Sequence, residues 1–194
     1  MNIAIIFAGG SGVRMGAGMP KQFLEINGKP IIIHTLDNFQ NSPSIDKIYI
    51  SCKKDYITTL QDLTKRFAIT KVCGIVEGGS NGQDSIYRAL RAADAENDKD
   101  AIVLIHDGVR PFVSEEVIQK NIECVKQHGS AVTCTSFFET PILSKGGEEV
   151  EEMPLKKEMF TAQAPQSFYL GEIMEAHKKM RELNPDYVDI ADSC

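Results

Sequence analysis

Apolar and polar positions along this chain alternate between two rhythms. The runs IAIIF (3–7), KIYISC (47–52), VCGIVE (72–77), AIVLIHD (101–107) and SAVTCTS (130–136) are short, rich in β-branched residues and bounded by turn formers. Such runs predict buried strands. Between them, PIIIHTLDNFQ (30–40), DYITTLQDLTKRF (55–67), SIYRALRAADAE (85–96) and SEEVIQKNIECVKQ (114–127) space their apolar residues as helices do. Ser114, ahead of Glu115 and Glu116, predicts an N-cap with acidic residues in the first turn. Strand and helix in alternation predict an α/β domain, a doubly wound, mostly parallel sheet covered on both faces.

From 137 to 160 that alternation stops. Two short segments flank LSKGGEE, where Gly146 and Gly147 suit a hairpin turn, and a β-arm projecting from the sheet is expected there. A last helix is expected from about 170 to 183. No internal repeat, low-complexity stretch or linker divides the chain, so residues 1–194 are expected to form a single domain.

Composition narrows the function classes. With 42% hydrophobic and 25% charged residues the chain can bury a substantial core. No apolar run approaches the ~20 residues of a membrane span, and MNIAIIF lacks the basic flank of a signal peptide, so a cytoplasmic protein without a membrane partner is expected. A net charge of −6 argues against broad nucleic-acid binding. The five cysteines are widely spaced without a CxxC pair, which predicts reduced, mostly buried thiols. The four histidines have no metal-ligand spacing and are expected to be structural.

Candidate chemistry concentrates after the first strand, in AGGSGVRMGAGMPKQF (8–23). Ligands of open parallel sheets bind outside the carboxyl ends of the strands. Glycines there let backbone N–H groups approach an anion, and Arg14 and Lys21 add fixed positive charge. A dinucleotide fingerprint fails because position 15 is Met15, and a Walker loop fails because Gln22 follows Lys21.

This loop resembles the GG-x-G-x-R-M...PKQ loop of the sugar nucleotidyltransferases, and PKQF narrows the likeness to the cytidylyltransferases of sugar-alcohol phosphates. EGGSNGQDSI (77–86) is similar to their GGxxRxxS segment, IHDGVRPFV (105–113) to HDAxRPF, and AQAPQSF (162–168) to QTPQSF. The resemblance implies a Rossmann-like nucleotidyltransferase that joins CTP to a polyol phosphate, releasing pyrophosphate with the help of Mg²⁺. VRPF and APQSF favour D-ribitol 5-phosphate over 2-C-methyl-D-erythritol 4-phosphate. It also implies that Ala8, Gly9, Gly10, Gly12, Gly79, Ser80 and Ser85 enclose CTP, with Arg14 and Lys21 on its phosphates. Asp107 would hold Mg²⁺ or order the acceptor. Arg110, Thr140 and Lys156 would bind the polyol phosphate, the last two from an arm exchanged in a homodimer.

The likeness has departures. Gly82 and Lys156 stand at family arginine positions, and Ala164 at a threonine. ADSC resembles the start of a segment after which relatives continue to an NIKVT motif, so a C-terminal strand, helix and phosphate-binding lysine are expected to be absent. A CTP-binding homologue with impaired catalysis is the alternative. Three local alternatives also stay open: Ser85 as a helix first-turn residue, Asp107–Arg110 as an internal salt bridge, and Lys156 as an ordinary surface lysine on a solvated hairpin.

Overall fold

The computed structural model describes residues 1–9, 19–187 and 190. The chain runs β1 (Asn2–Ala8), β2 (Glu25–Ile26), β3 (Lys29–Pro30), α1 (Ile31–Asn41), β4 (Lys47–Cys52), α2 (Ile57–Arg66), β5 (Val72–Glu77), α3 (Gly82–Asp94), β6 (Ile102–Asp107), α4 (Glu115–His128), β7 (Ser130–Ser136), β8 (Phe160–Tyr169) and α5 (Leu170–Leu183). Strands β2 and β3 form a small hairpin. The other six form one sheet in the order β5-β4-β1-β6-β8-β7. Strands β5, β4, β1 and β6 are mutually parallel, and β8 runs antiparallel to both β6 and β7.

Side chains of a strand alternate between faces, and β1 uses both. Ala4, Ile6 and Ala8 join a cluster with Leu36 and Phe39 of α1, Leu60 of α2 and Ile118 and Val125 of α4. Ile3 and Ile5 join the opposite cluster, with Ala89 and Leu90 of α3 and Ile173 and Met174 of α5. This two-sided burial explains the near-continuous apolar character of β1, β4 and β6. Strands β5 and β7 depart from the expectation of burial: they are the two sheet edges, and most of their residues are partly or fully exposed. Ser114 caps α4 as expected, its Oγ accepting the Val117 N–H at 3.3 Å.

Two expectations change. Strand β8 has no counterpart in the sequence pattern, because AQAPQ is poor in β-branched residues and carries Pro165 inside a sheet strand. The sheet accommodates the proline with a register shift between Val132 and Cys134, where the Thr133 hydroxyl donates to the Pro165 carbonyl at 2.7 Å. The expected arm at 137–160 is an excursion between β7 and β8. Among the described residues its flanks meet at the bridge Leu143–Glu152 and, at the base, where the Phe137 N–H donates to the Met159 carbonyl at 3.1 Å. Pro141 and Pro154 remove donors from the two flanks. Its turn is formed, with Gly147 at φ +77° and its N–H donating to the Ser144 Oγ.

The cysteines also differ from expectation. Of the four described, Cys52 is buried, Cys124 half-buried, and Cys73 and Cys134 exposed, all as free thiols. The exposed pair lies on the edge strands, which cover fewer side chains. Burial pushes the Cys52 thiol up to about 11. Cys194 lies outside the described residues.

Leu36 is fully buried where α1 packs on the sheet. Leu36→Ala is expected to lower unfolding stability by about 2–5 kcal/mol in urea titration, whereas Ser114→Ala should cost only about 1 kcal/mol.

Candidate active site

Parallel pairing aligns the carboxyl ends of the strands. Ala8 lies opposite Cys52, Phe7 opposite Asp107, and Cys52 opposite Glu77. The segments leaving these strands therefore share one rim. They enclose a cavity of about 510 Å³, lined among others by Ala8, Gly9, Lys21, Gly79, Ser80, Ser85 and Asp107. A second cavity of about 300 Å³ is lined by Arg110, Gln163, Gln166 and Tyr187. Phe7, Asn81, Gly82 and Asp107 line both.

The PKQF segment shows why Lys21 reaches the first cavity. Residues Lys21–Phe23 form one 3-10 turn. Gln22 is buried and its Nε2 donates to the Ala8 carbonyl at 2.6 Å, fastening this turn to the end of β1. Phe23 is buried and stacks on Tyr56, with ring centroids 4.8 Å apart. With the two residues that follow it anchored, Lys21 is left to line the cavity.

Opposite stands the turn from β5 into α3. The Asn81 side chain caps α3 by accepting the Asp84 N–H at 2.9 Å. Ser85 is buried; its Oγ accepts the Gly79 N–H at 2.9 Å and donates to the Asn81 carbonyl at 2.8 Å. The first-turn reading of Ser85 therefore holds structurally, and the same hydroxyl shapes the cavity wall. Two glycines permit the approach: a Cβ on Gly9 would lie 2.7 Å from the Ser85 Oγ, and one on Gly79 would lie 2.1 Å from the Asp84 carboxylate. Burial alone would raise the Asp84 pKa, but hydrogen bonds from Arg181 and the Ser80 N–H, with Arg88 nearby, hold its carboxyl below the usual range. Arg88 pairs with Asp84 at 3.2 Å and lines neither cavity, so it does not stand in for an arginine at Gly82.

Asp107 ends β6. Its Oδ1 accepts the Val109 N–H at 3.1 Å, and its Oδ2 lies 3.8 Å from the Arg110 Nε. The internal salt bridge is thus present but long. Arg110 is half exposed, and its Nη1 donates to the Gln163 Oε1 at 2.8 Å. Helix α1 braces this turn through Thr35 to the Gly108 carbonyl and Asn38 to the Pro111 carbonyl. Behind it His106 is buried, its Nε2 bonded to the Arg110 carbonyl, and burial lowers its pKa below the ordinary imidazole value.

Not every expected residue converges. Gly10, Gly12 and Arg14 lie outside the described residues. Thr140 and Lys156 are exposed on the 137–159 excursion and line neither cavity of the chain, because that segment leaves the sheet instead of folding back over it. Lys53, Lys54, Gln163 and Tyr187 join the cavities without having been expected. The lysine pair had a signal, two cations directly after a strand in KIYISCKK. Gln163 had none apart from its motif.

A family model described as IspD, 2-C-methyl-D-erythritol 4-phosphate cytidylyltransferase, matches residues 2–193. The chain belongs to the IspD family. It is 49% identical over 179 residues to a ribitol-5-phosphate cytidylyltransferase of Streptococcus agalactiae serotype V, covering 92% of this chain and 75% of that protein. A ribitol-5-phosphate cytidylyltransferase of Vibrio parahaemolyticus is 44% identical over 195 residues, covering 100% and 81%. Among solved structures, the 4-diphosphocytidyl-2C-methyl-D-erythritol synthase of Anaerococcus prevotii superposes with a TM-score of 0.83 at 27% identity, covering 100% of this chain and 79% of that one. Membership in this IspD family makes the protein a nucleotidyltransferase, and the cavities lie where such a sheet binds its ligands. No helix among the described residues is long and apolar enough to cross a membrane.

Behind Tyr187, which lines the second cavity, lies a buried titratable group. His177 of α5 lies against Tyr187, Nδ1 to hydroxyl 2.9 Å, and burial followed by the charge of Arg181 pushes its pKa down to about 4. Because the folded pKa lies below the ordinary 6.5, the unfolded chain takes up the proton first. Stability is then complete above about pH 6.5 and falls as pH drops towards about 4, by on the order of 3 kcal/mol from this residue. Thermal melts between pH 7 and 4.5 should record this fall, and His177→Gln should flatten it.

Proposed function

We propose that this protein transfers the cytidylyl group of CTP to D-ribitol 5-phosphate, giving CDP-ribitol and pyrophosphate. The observation that carries the reading is the pair of adjoining cavities sharing Asp107 as a common wall, one lined by glycine turns and lysine and the other by Arg110. Such a pair suits two anionic substrates that must meet at one phosphorus. The choice of ribitol rests on likeness to relatives named for that substrate at 44% and 49% identity, against 36% for a 2-C-methyl-D-erythritol 4-phosphate cytidylyltransferase of Clostridium botulinum.

In this reading a phosphate oxygen of the acceptor attacks the α-phosphorus of CTP. The new P–O bond forms as the bond to the β-phosphate bridging oxygen breaks, and the electron pair leaves with pyrophosphate. A phosphate monoester is already largely dianionic at neutral pH, so no protein base is required. Catalysis consists of holding two repelling anions in line and stabilising the developing charge. Ala8, Gly9, Gly10, Gly12, Gly79, Ser80 and Ser85 enclose the nucleotide, with Ser85 acting by holding the Gly79–Asn81 turn. Arg14 and Lys21 bind the phosphates. Asp107 and Arg110 receive the acceptor.

Mg²⁺ belongs to the proposal as well. It typically binds through one or two carboxylates plus substrate phosphates, a requirement that Asp107 meets, although no cluster of three acidic, histidine or cysteine side chains occurs among the described residues. When bound, the ion would neutralise charge on the triphosphate. A homodimer in the cytoplasm completes the reading. Phe138, Ile142, Met153 and Leu155 are exposed on the 137–159 excursion. A second copy covering them would bring Thr140 and Lys156 to its partner's acceptor cavity.

Pyrophosphate release from CTP and Mg²⁺ is expected with D-ribitol 5-phosphate and much less with 2-C-methyl-D-erythritol 4-phosphate. The reverse order would replace the acceptor, and CTP binding without release from either would leave a binding homologue. Lys21→Ala is expected to lower kcat/KM for CTP by about 100-fold or more, with the melting temperature unchanged. A large loss of melting temperature would instead show Lys21 to be structural.

A further inference from the structure

Lys53 and Lys54 follow β4 without an intervening residue. Cys52, the last residue of β4, pairs with Ala8 of β1, and its carbonyl accepts the Gly78 N–H at 2.7 Å. The strand thus ends between the two glycine turns. Both lysines line the 510 Å³ cavity together with Lys21. None of the ion pairs formed among the described residues uses Lys21, Lys53 or Lys54. Glu77 and Asp107 line the same cavity, and the three lysines outnumber them there; in a chain of net charge −6 this local excess of positive charge favours a polyanion.

Their place within the cavity indicates which part of the anion they meet. The acceptor cavity shares Phe7, Asn81, Gly82 and Asp107 with the first, whereas the three lysines line the first alone. An in-line displacement puts attacking and leaving oxygens on opposite sides of the phosphorus. An acceptor entering past Asp107 therefore drives the leaving group away from the shared wall, towards the lysines. Resting on the cytidylyl-transfer reading above, we propose that Lys53 and Lys54 bind the β- and γ-phosphates of CTP and hold the departing pyrophosphate. An ammonium on a flexible stem suits this task, since it follows a phosphate as the bond to it breaks.

Isothermal titration of the full chain with CTP, pyrophosphate and CMP tests the assignment without requiring turnover. The Lys53→Gln/Lys54→Gln double variant keeps most of each stem and alters partly exposed positions, so folding is retained. Two partly exposed charge contacts together correspond to roughly tenfold weaker binding of CTP and of pyrophosphate. CMP affinity should change less than about twofold, because CMP lacks the β- and γ-phosphates, and Lys53→Arg/Lys54→Arg should restore CTP binding. Unchanged pyrophosphate affinity, or no pyrophosphate binding by the unaltered protein, would overturn the proposal. So would CMP weakening as much as CTP, which would put the lysines on the base or ribose. An unaltered protein that binds pyrophosphate but transfers to neither polyol phosphate would defeat the reaction assigned above and leave the lysine assignment standing.

Discussion

Everything at the candidate active site depends on the common level at which the parallel strands end. Hydrogen-bond register sets Ala8, Cys52 and Asp107 at one rim of the sheet. The burial that enforces this register is two-sided. A slip of one residue in β1 would exchange Ile3 and Ile5 with Ala4 and Ile6 between two different cores, each shaped for its own helices. The packing of α1, α2 and α4 on one face and α3 and α5 on the other therefore fixes where Gly9, Lys53 and Asp107 meet. Binding chemistry is left to turns whose side chains the core does not need.

Those turns are held by short, mostly neutral contacts. Gln22 ties the lysine-bearing turn to the end of β1, Ser85 gathers Gly79 and Asn81, and Thr35 and Asn38 brace the turn after Asp107. Most of these bonds run between a side chain and a backbone group, so they fix backbone position and leave the charged side chains to a ligand. Preorganisation of this kind lets fixed charges act on a transition state without first being rearranged.

The central strands and their helices were legible in the sequence because local pattern and tertiary environment agree there: β-branched runs in β1, β4 and β6 are buried on both faces, and Ser114 caps α4. Asp107 was legible because the last residue of a strand has one destination in a parallel sheet, and Lys21 because the PKQF motif closes the glycine loop that follows the first strand. Strand β8 was not, since its pairing comes from neighbours distant in sequence and its composition argues against it. The edge positions of β5 and β7, and with them the exposure of Cys73 and Cys134, follow from strand order, which no local window contains. Lys53 and Lys54 obeyed the same strand-end rule as Asp107 but lay outside any recognised motif.

Strand β8 is the return path of the 137–159 excursion and also the wall that presents Gln163 to Arg110. Its pairing with β6 begins only at Gln166, three residues beyond Gln163. The excursion can therefore vary in length and composition without disturbing catalytic geometry, provided that the count of residues from Phe160 to Gln166 is kept. Removing a residue between Gln163 and Gln166 would shift Gln163 relative to the β6 pairing and so away from Arg110. The fold thus separates a segment free to diversify in what it contacts from a short ruler that cannot change, and the boundary between them lies at Phe160.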